Sequence, residues 1–238
     1  MHVFGNGPQL PLDFSGEVRL FPLPNLVLFP HVVQGLHIFE TRYCQMLAEA
    51  MATDKLIAMA LLYPGWEKNY QDKPALSPVV CIGKVVSHTE TSDGTFNILL
   101  VGVKRARIIR EIETKLGFRK AHVEIIEDIA LPDHVEESLR MKLMQAVNIC
   151  VAEGSSASLD NIEMAASQIP LGALVDLISY GYPFPTETKQ MLLEESHVDC
   201  RCELLLQELA NQHGEANTHT ASSSKPLRRD FPPSFSDN

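Results

Sequence analysis

Apolar residues change their spacing along the chain, and the changes divide it into four stretches. Residues 1–16 mix Gly5, Gly7, Pro8 and Pro11 with little periodicity and read as a loose lead-in. From Glu17 to 130 the apolar residues fall in β-type runs, and from Leu131 to 213 they recur at helical spacing. From Gly214 to the last residue Ser, Thr, Asn and Pro dominate. That composition buries too little to offset its ordering entropy, so 214–238 are expected to be a disordered tail.

Within the β-type stretch, VRLFPLPNLVLFP is broken by Pro22, Pro24 and Pro30. Proline cannot donate to a central ladder, so this segment must be edge, bulge or irregular extended chain. Gly35–Phe39 reads as a short strand, and Glu40–Met51 as a helix whose Tyr43, Met46, Leu47, Ala50 and Met51 form one apolar stripe. KLIAMALLY, Lys55–Tyr63, is almost continuously apolar, the pattern of a strand covered on both faces, and Pro64-Gly65 ends it. Residues 79–90 and the long run Phe96–Glu113 are partners across a tight Ser92–Gly94 turn. Gly102 marks a bulge or sharp bend, and Phe118–Asp128 alternates and pairs back. About six strands, one helix and hairpin connections predict a small, strongly bent antiparallel sheet or pseudo-barrel.

The second half has helix punctuation. Asp133 with Glu136 or Glu137 starts a helix to about Val151, and residues 153–156 break it. Asp160 with Glu163 fits a second start. Leu171–Gly181 is a short apolar helix ending on glycine, YPFP separates it from TETKQMLLEE, and Ser196 with Asp199 has capping-box spacing before the last helix. The class is therefore α+β, a β-rich part over 17–130 and a helical bundle over 131–213.

Composition narrows the partners. Acidic residues outnumber basic ones, 30 to 20, and the net charge of −10 repels phosphate backbones and acidic membranes, so neither is an expected partner. No apolar run reaches the roughly 18 residues a spanning helix needs. Met1–Gly16 lacks a basic cluster followed by an apolar core, so the expected location is the cytoplasm. The five cysteines, Cys44, Cys81, Cys150, Cys200 and Cys202, have no disulfide-framework spacing. Cys200 and Cys202 lie two apart in a helical pattern and cannot share one face, so no metal site is expected from them.

Motifs that would carry chemistry are missing: no phosphate-cradling loop, no H-E-x-x-H, no G-x-S-x-G, no G-x-G-x-x-G before a helix. No cofactor or catalytic residue is expected. His37 beside Glu40 is read as a packed strand residue followed by a helix start rather than a base with its orienter. Glu194-Glu195 is read as solvated helix end, and Lys104, Arg105, Arg107 and Arg110 as a solvated strand end rather than an RNA stripe, because alternate strand residues face opposite sides. The segment from Tyr63 through Trp66 to Tyr70 carries the only tryptophan, in a loop-like context. Its aromatics are either binding anchors or a lid on the core, and a strand–helix–strand unit would bring them near Tyr43 of the first helix.

FPLPNLVLFP and LHIFETRY within Phe21–Met51, followed in order by Cys81-Ile82-Gly83, DGTFNILLVGVKRARI and DLISYGYPFPTETKQMLLEESHVDCRCELLLQEL, resemble the amino-terminal domain of Lon proteases from about Val18 to Leu209. The resemblance implies a bent PUA-like β-subdomain with a helical extension, and a role in recognising unfolded or tagged proteins. In full Lon proteases an ATPase and a Ser–Lys peptidase follow. Residues 210–238 are too few for either, so the expectation is a stand-alone, non-catalytic protein- or peptide-binding module, acting on such substrates or with a protease component. The alternatives are an RNA-binding PUA-like module, since that fold type can bind RNA, or an enzyme with an unrecognised site.

Overall fold

The computed structural model describes residues 7–69, 73–129, 131–152, 166 and 168–219. The chain runs β1 Glu17–Leu23, β2 Val33–Ile38, α1 Thr41–Met51, β3 Leu56–Leu61, β4 Val79–Glu90, β5 Phe96–Ile112 and β6 Arg119–Ile126. The helices α2 Asp133–Ala152, α3 Leu171–Gly181, α4 Thr186–Glu194 and α5 Val198–His219 follow. The α+β class and the six strands stand as expected. The helix start at Asp160 and the break at 153–156 lie outside the described residues.

The sheet closes on itself. Its order is β2-β5-β4-β3-β1-β6, and β6 also pairs with β5. Residues 96–101 of β5 pair with β2, whereas 105–112 pair with β6. The long strand therefore exchanges one neighbour for another half-way along, and the ring β1-β3-β4-β5-β6 has no free edge. Small residues permit so tight a ring: Ala58, Ala60, Ala106 and Ala121 fill its interior with Val18, Leu20, Leu56, Val80, Ile82 and Val123.

The ring is not wholly antiparallel, as the hairpin signals suggested. β1 and β3 run parallel, Leu20 opposite Ala58 and Leu23 opposite Leu61. The chain between them contains β2 and α1, and a helical crossover is the connection that returns a strand in the same direction. β1 also resolves the proline puzzle. Its pairing with β6 stops at Leu20, so Pro22 has β3 as its ladder neighbour and needs no donor on the other side.

Every residue of β3 is buried, which explains its unbroken apolar run. Leu56, Ala58 and Ala60 point into the ring. Ile57, Met59 and Leu61 point outward into a second core built with α1 and the later helices. That core runs from Phe21 through Tyr43, Leu143 and Val175 to Leu209, so the β-rich and helical parts share one apolar interior.

Gly102 is required by a close approach. The proline-broken segment after β1 folds across β5, where Gly102 N donates to Val32 O at 2.8 Å and its carbonyl accepts from His31 N at 2.9 Å. A β-carbon there would lie 2.0 Å from Phe29 O. The expected bulge sits next to it, as the β4–β5 register slips between Ile82 and Gly83.

The helical part departs from expectation in two details. α5 starts at Val198, with His197 rather than Ser196 supplying the first helical carbonyl, to Arg201 N at 2.9 Å. It also continues through Gly214 to His219, since Glu215 and Ala216 are good helix formers. The expected tail thus begins later than 214, and residues 220–238 lie outside the described part.

Candidate functional site

One groove brings together two of the four aromatic residues singled out in the sequence. Tyr63, Pro64, Gly65, Trp66 and Glu67 form one wall, Thr186, Glu187, Gln190, Met191 and Glu194 of α4 the other, with Leu61, Leu62, Pro24 and Ser77 between them. Its volume is about 420 Å³, within the usual range for ligand pockets. Tyr63 and Met191 are each 47% exposed at its mouth.

Each wall has a local cause. The chain leaving β3 stays paired for two residues, because Leu62 N donates to Leu23 O at 3.0 Å and Tyr63 N to Ala75 O at 3.0 Å, beside Ser77 N donating to Leu61 O at 2.9 Å. Gly65 then turns the chain at φ 89°, a conformation side chains disfavour, and Trp66 opens a single 3-10 turn, Trp66–Asn69. On α4 the groove residues 187, 190, 191 and 194 recur at three and four, one helix face. The opposite face carries the buried Leu192 and Leu193 into the shared core.

Two tethers fix α4 against the ring. Gln190 Nε2 donates to Val79 O of β4 at 3.0 Å and to Glu194 Oε1 at 2.8 Å. Arg105 of β5 donates from Nε to Leu193 O at 3.0 Å. Arg105 belongs to a buried ionic cluster. Its guanidinium forks onto Asp176 of α3, with Nη1 3.0 Å from Oδ2 and Nη2 on Oδ1, and lies 3.5 Å from Asp128. Arg201 of α5 makes its own fork to Asp128, at 3.0 and 2.6 Å, and its Nε lies 3.4 Å from Asp176 without hydrogen-bond geometry. Burial disfavours the charged form of Arg105, but Asp176 and Asp128 together favour it and its pKa stands above the ordinary value.

This cluster corrects the reading of the basic run. Arg105 is 2% exposed and paired, not solvated, and Lys104 is bonded to Glu127. Arg107 and Arg110 remain exposed. A continuous basic face for RNA does not form from these residues. His37 is exposed rather than packed, with Nδ1 2.9 Å from Asn97 Oδ1. Glu40 occupies the N-cap position of α1 without a side-chain capping bond and pairs with Arg42. Glu194 is half-buried in the groove, and Glu195 accepts from His197 N at 2.8 Å.

The remaining two aromatics do not join the groove. Tyr43 is buried in the core, its ring centroid 4.5 Å from that of Phe21, and borders a separate small cleft with Arg42 and Phe118. Tyr70 lies outside the described residues. What the sequence reading missed is the wall from α4. The i, i+3, i+4, i+7 spacing of Glu187, Gln190, Met191 and Glu194 was its only local signal.

Among the described residues no group of three or more His, Cys, Asp or Glu is arranged to hold a metal, and no helix is long and apolar enough to cross a membrane.

Residues 17–211 match the model of the substrate-binding domain of ATP-dependent protease La (Lon). The chain belongs to the Lon substrate-binding domain family. A Lon protease of Heliobacterium modesticaldum is 28% identical over 200 residues, covering 82% of this chain and 24% of that protein. The chain thus spans about a quarter of the length of the curated Lon proteases it matches. Two solved structures share the fold. A Lon N-terminal domain protein from Xanthomonas campestris has a TM-score of 0.58 at 21% identity, over 80% of this chain and 97% of that one. The N-terminal domain of a Mycobacterium avium complex Lon protease has a TM-score of 0.65 at 14% identity, over 82% and 98%.

Proposed function

We propose that this member of the Lon substrate-binding family recognises unfolded or tagged polypeptide segments without catalysing their cleavage, and acts as an adaptor in proteolysis or protein quality control. The observation that carries the reading is the groove between the Tyr63–Glu67 turn and α4. It combines half-exposed Tyr63 and Met191 with Trp66, on a scaffold held by buried tethers. Non-native segments expose apolar side chains, and aromatic and methionine side chains accommodate variable ones at little entropic cost.

The test uses Trp66, the sole tryptophan, as both anchor and reporter. Short apolar peptides titrated into the protein are expected to change its fluorescence and to saturate. Trp66→Ala, followed by calorimetry, is expected to lose about 2 kcal/mol of binding. Its stability should fall far less than the roughly 3–5 kcal/mol of a core aromatic. Unchanged affinity in well-folded Trp66→Ala and Tyr63→Ala variants would show that peptides bind elsewhere.

A further inference from the structure

The rim of the groove is acidic and uncompensated. Glu67, Glu187 and Glu194 line it, and no Lys, Arg or His does among the described residues. Several carboxylates elsewhere on the fold are matched: Glu49 and Asp54 by Arg19, Glu111 by Arg119, Glu127 by Lys104, Asp128 and Asp176 by buried arginines. None of the three groove carboxylates has an ion pair within the described residues. Lys68 follows Glu67 in the same turn but does not line the groove. Gln190 spends both amide protons on Val79 O and Glu194, so its remaining polar atom is an acceptor. The charged groups on the edge of this apolar groove are therefore all carboxylates, and they attract positive charge.

We infer that the occupant is an unstructured polypeptide segment in which a large apolar side chain is flanked by Lys or Arg. This rests on the groove being the binding surface. The apolar side chain packs among Tyr63, Trp66 and Met191, and the flanking cations meet Glu67, Glu187 and Glu194. Glu187 and Glu194 are seven residues apart on one helix face, about 10 Å along its axis. An extended peptide covers that distance in about three residues, so cationic residues roughly three apart reach both. Segments with acidic flanks meet like charge on the rim and, at longer range, the chain's net charge of −10.

Three peptides of equal length test this, sharing one Phe-Leu centre and flanked by Arg and Lys, by Ser, or by Glu and Asp. Binding is read from Trp66 fluorescence at about 50 mM and about 500 mM salt. The basic-flanked peptide should bind on the order of tenfold tighter than the Ser-flanked one at low salt, with most of that preference lost at high salt. In Glu67→Gln/Glu187→Gln, two exposed positions where folding is not at stake, the preference for the basic-flanked over the Ser-flanked peptide should shrink several-fold. Equal binding of basic and Ser-flanked peptides, or a preference that survives in the double variant, overturns the charge assignment and leaves the groove reading standing. If no peptide binds the folded protein, the groove reading itself falls, and this inference with it.

Discussion

Replacing Asp176 by Asn tests the buried ionic cluster with minimal change of volume. In the native protein Arg105 and Asp176 are 2% and 1% exposed, and the carboxylate answers both prongs of the guanidinium fork. The Asn side chain keeps one acceptor and removes the charge. Arg105 then faces Leu193 O and the carboxylate of Asp128, 3.5 Å away and partly exposed. Leaving one partner of a buried pair uncompensated costs about 3–5 kcal/mol, and the nearness of Asp128 places the expected loss at the lower end, about 3 kcal/mol. For a chain of this length that is a fall in Tm of about 6–12 °C. Urea unfolding, followed by Trp66 fluorescence and far-ultraviolet circular dichroism, should show a lower midpoint with an unchanged slope. The double variant Arg105→Met/Asp176→Leu removes both charges and should recover about half of the loss. It should not recover all of it, because Leu193 O is then left without its donor. A loss under about 1 kcal/mol for Asp176→Asn, or a double variant no more stable than the single one, refutes the claim that this pair holds α3 and α4 to the ring.

Three further outcomes are expected. Gly102→Ala should destabilise by at least about 2 kcal/mol, read by urea unfolding, because the added carbon would sit 2.0 Å from a backbone oxygen that cannot rotate away. Iodoacetamide at pH 8 should label Cys200 first, while buried Cys81, Cys150 and Cys202 react only after unfolding, as mass spectrometry of peptides will show. Slight desolvation and the carboxylates of Asp199 and Glu195 push the Cys200 thiol up, so it should react more slowly than glutathione. Burial pushes Cys202 up to about 12. A chain ending at His219 should keep its Tm within about 3 °C, since the last buried apolar residue described on α5 is Leu209, and a larger fall would show that residues 220–238 pack.

The elements that were legible in the sequence are those whose burial is periodic within a single segment. β3 announced itself because both its faces are covered, and α1 because Tyr43, Met46, Leu47 and Ala50 share one buried stripe. The same signal explains why Tyr43 is no surface anchor, for a place in the stripe is a place in the core. Closure of the ring was not legible. It depends on β5 leaving β2 and taking up β6 near Arg105, a partner exchange that no local pattern encodes. The fate of Arg105 was equally hidden. KRAR reads as a solvated strand end until Asp176, 71 residues further on, is placed against it.

The groove shows the same division. Tyr63 and Trp66 stood out because large aromatics beside Pro64-Gly65 have no segment of their own to pack into. Their counterpart, Met191, sits on a helix whose other face is apolar, so nothing local marks its outward face as a wall. Where the two walls meet, Arg105 holds the end of α4 through Leu193 O and Gln190 holds its middle through Val79 O, while Leu192 and Leu193 pack into the shared core. One wall therefore belongs to the β-rich part and the other to the helical part, and the core that joins them is continuous from Phe21 to Leu209. It follows that the groove is a property of the docked pair, and that neither half of the sequence contains it. The residues that set its shape, Arg105, Asp176 and Gln190, are buried polar side chains, each satisfied by a partner on a different element. Apolar packing of the same volume would tolerate sliding of α4 along the ring, whereas directional bonds to Leu193 O and Val79 O fix its position and hence the distance between Trp66 and Met191.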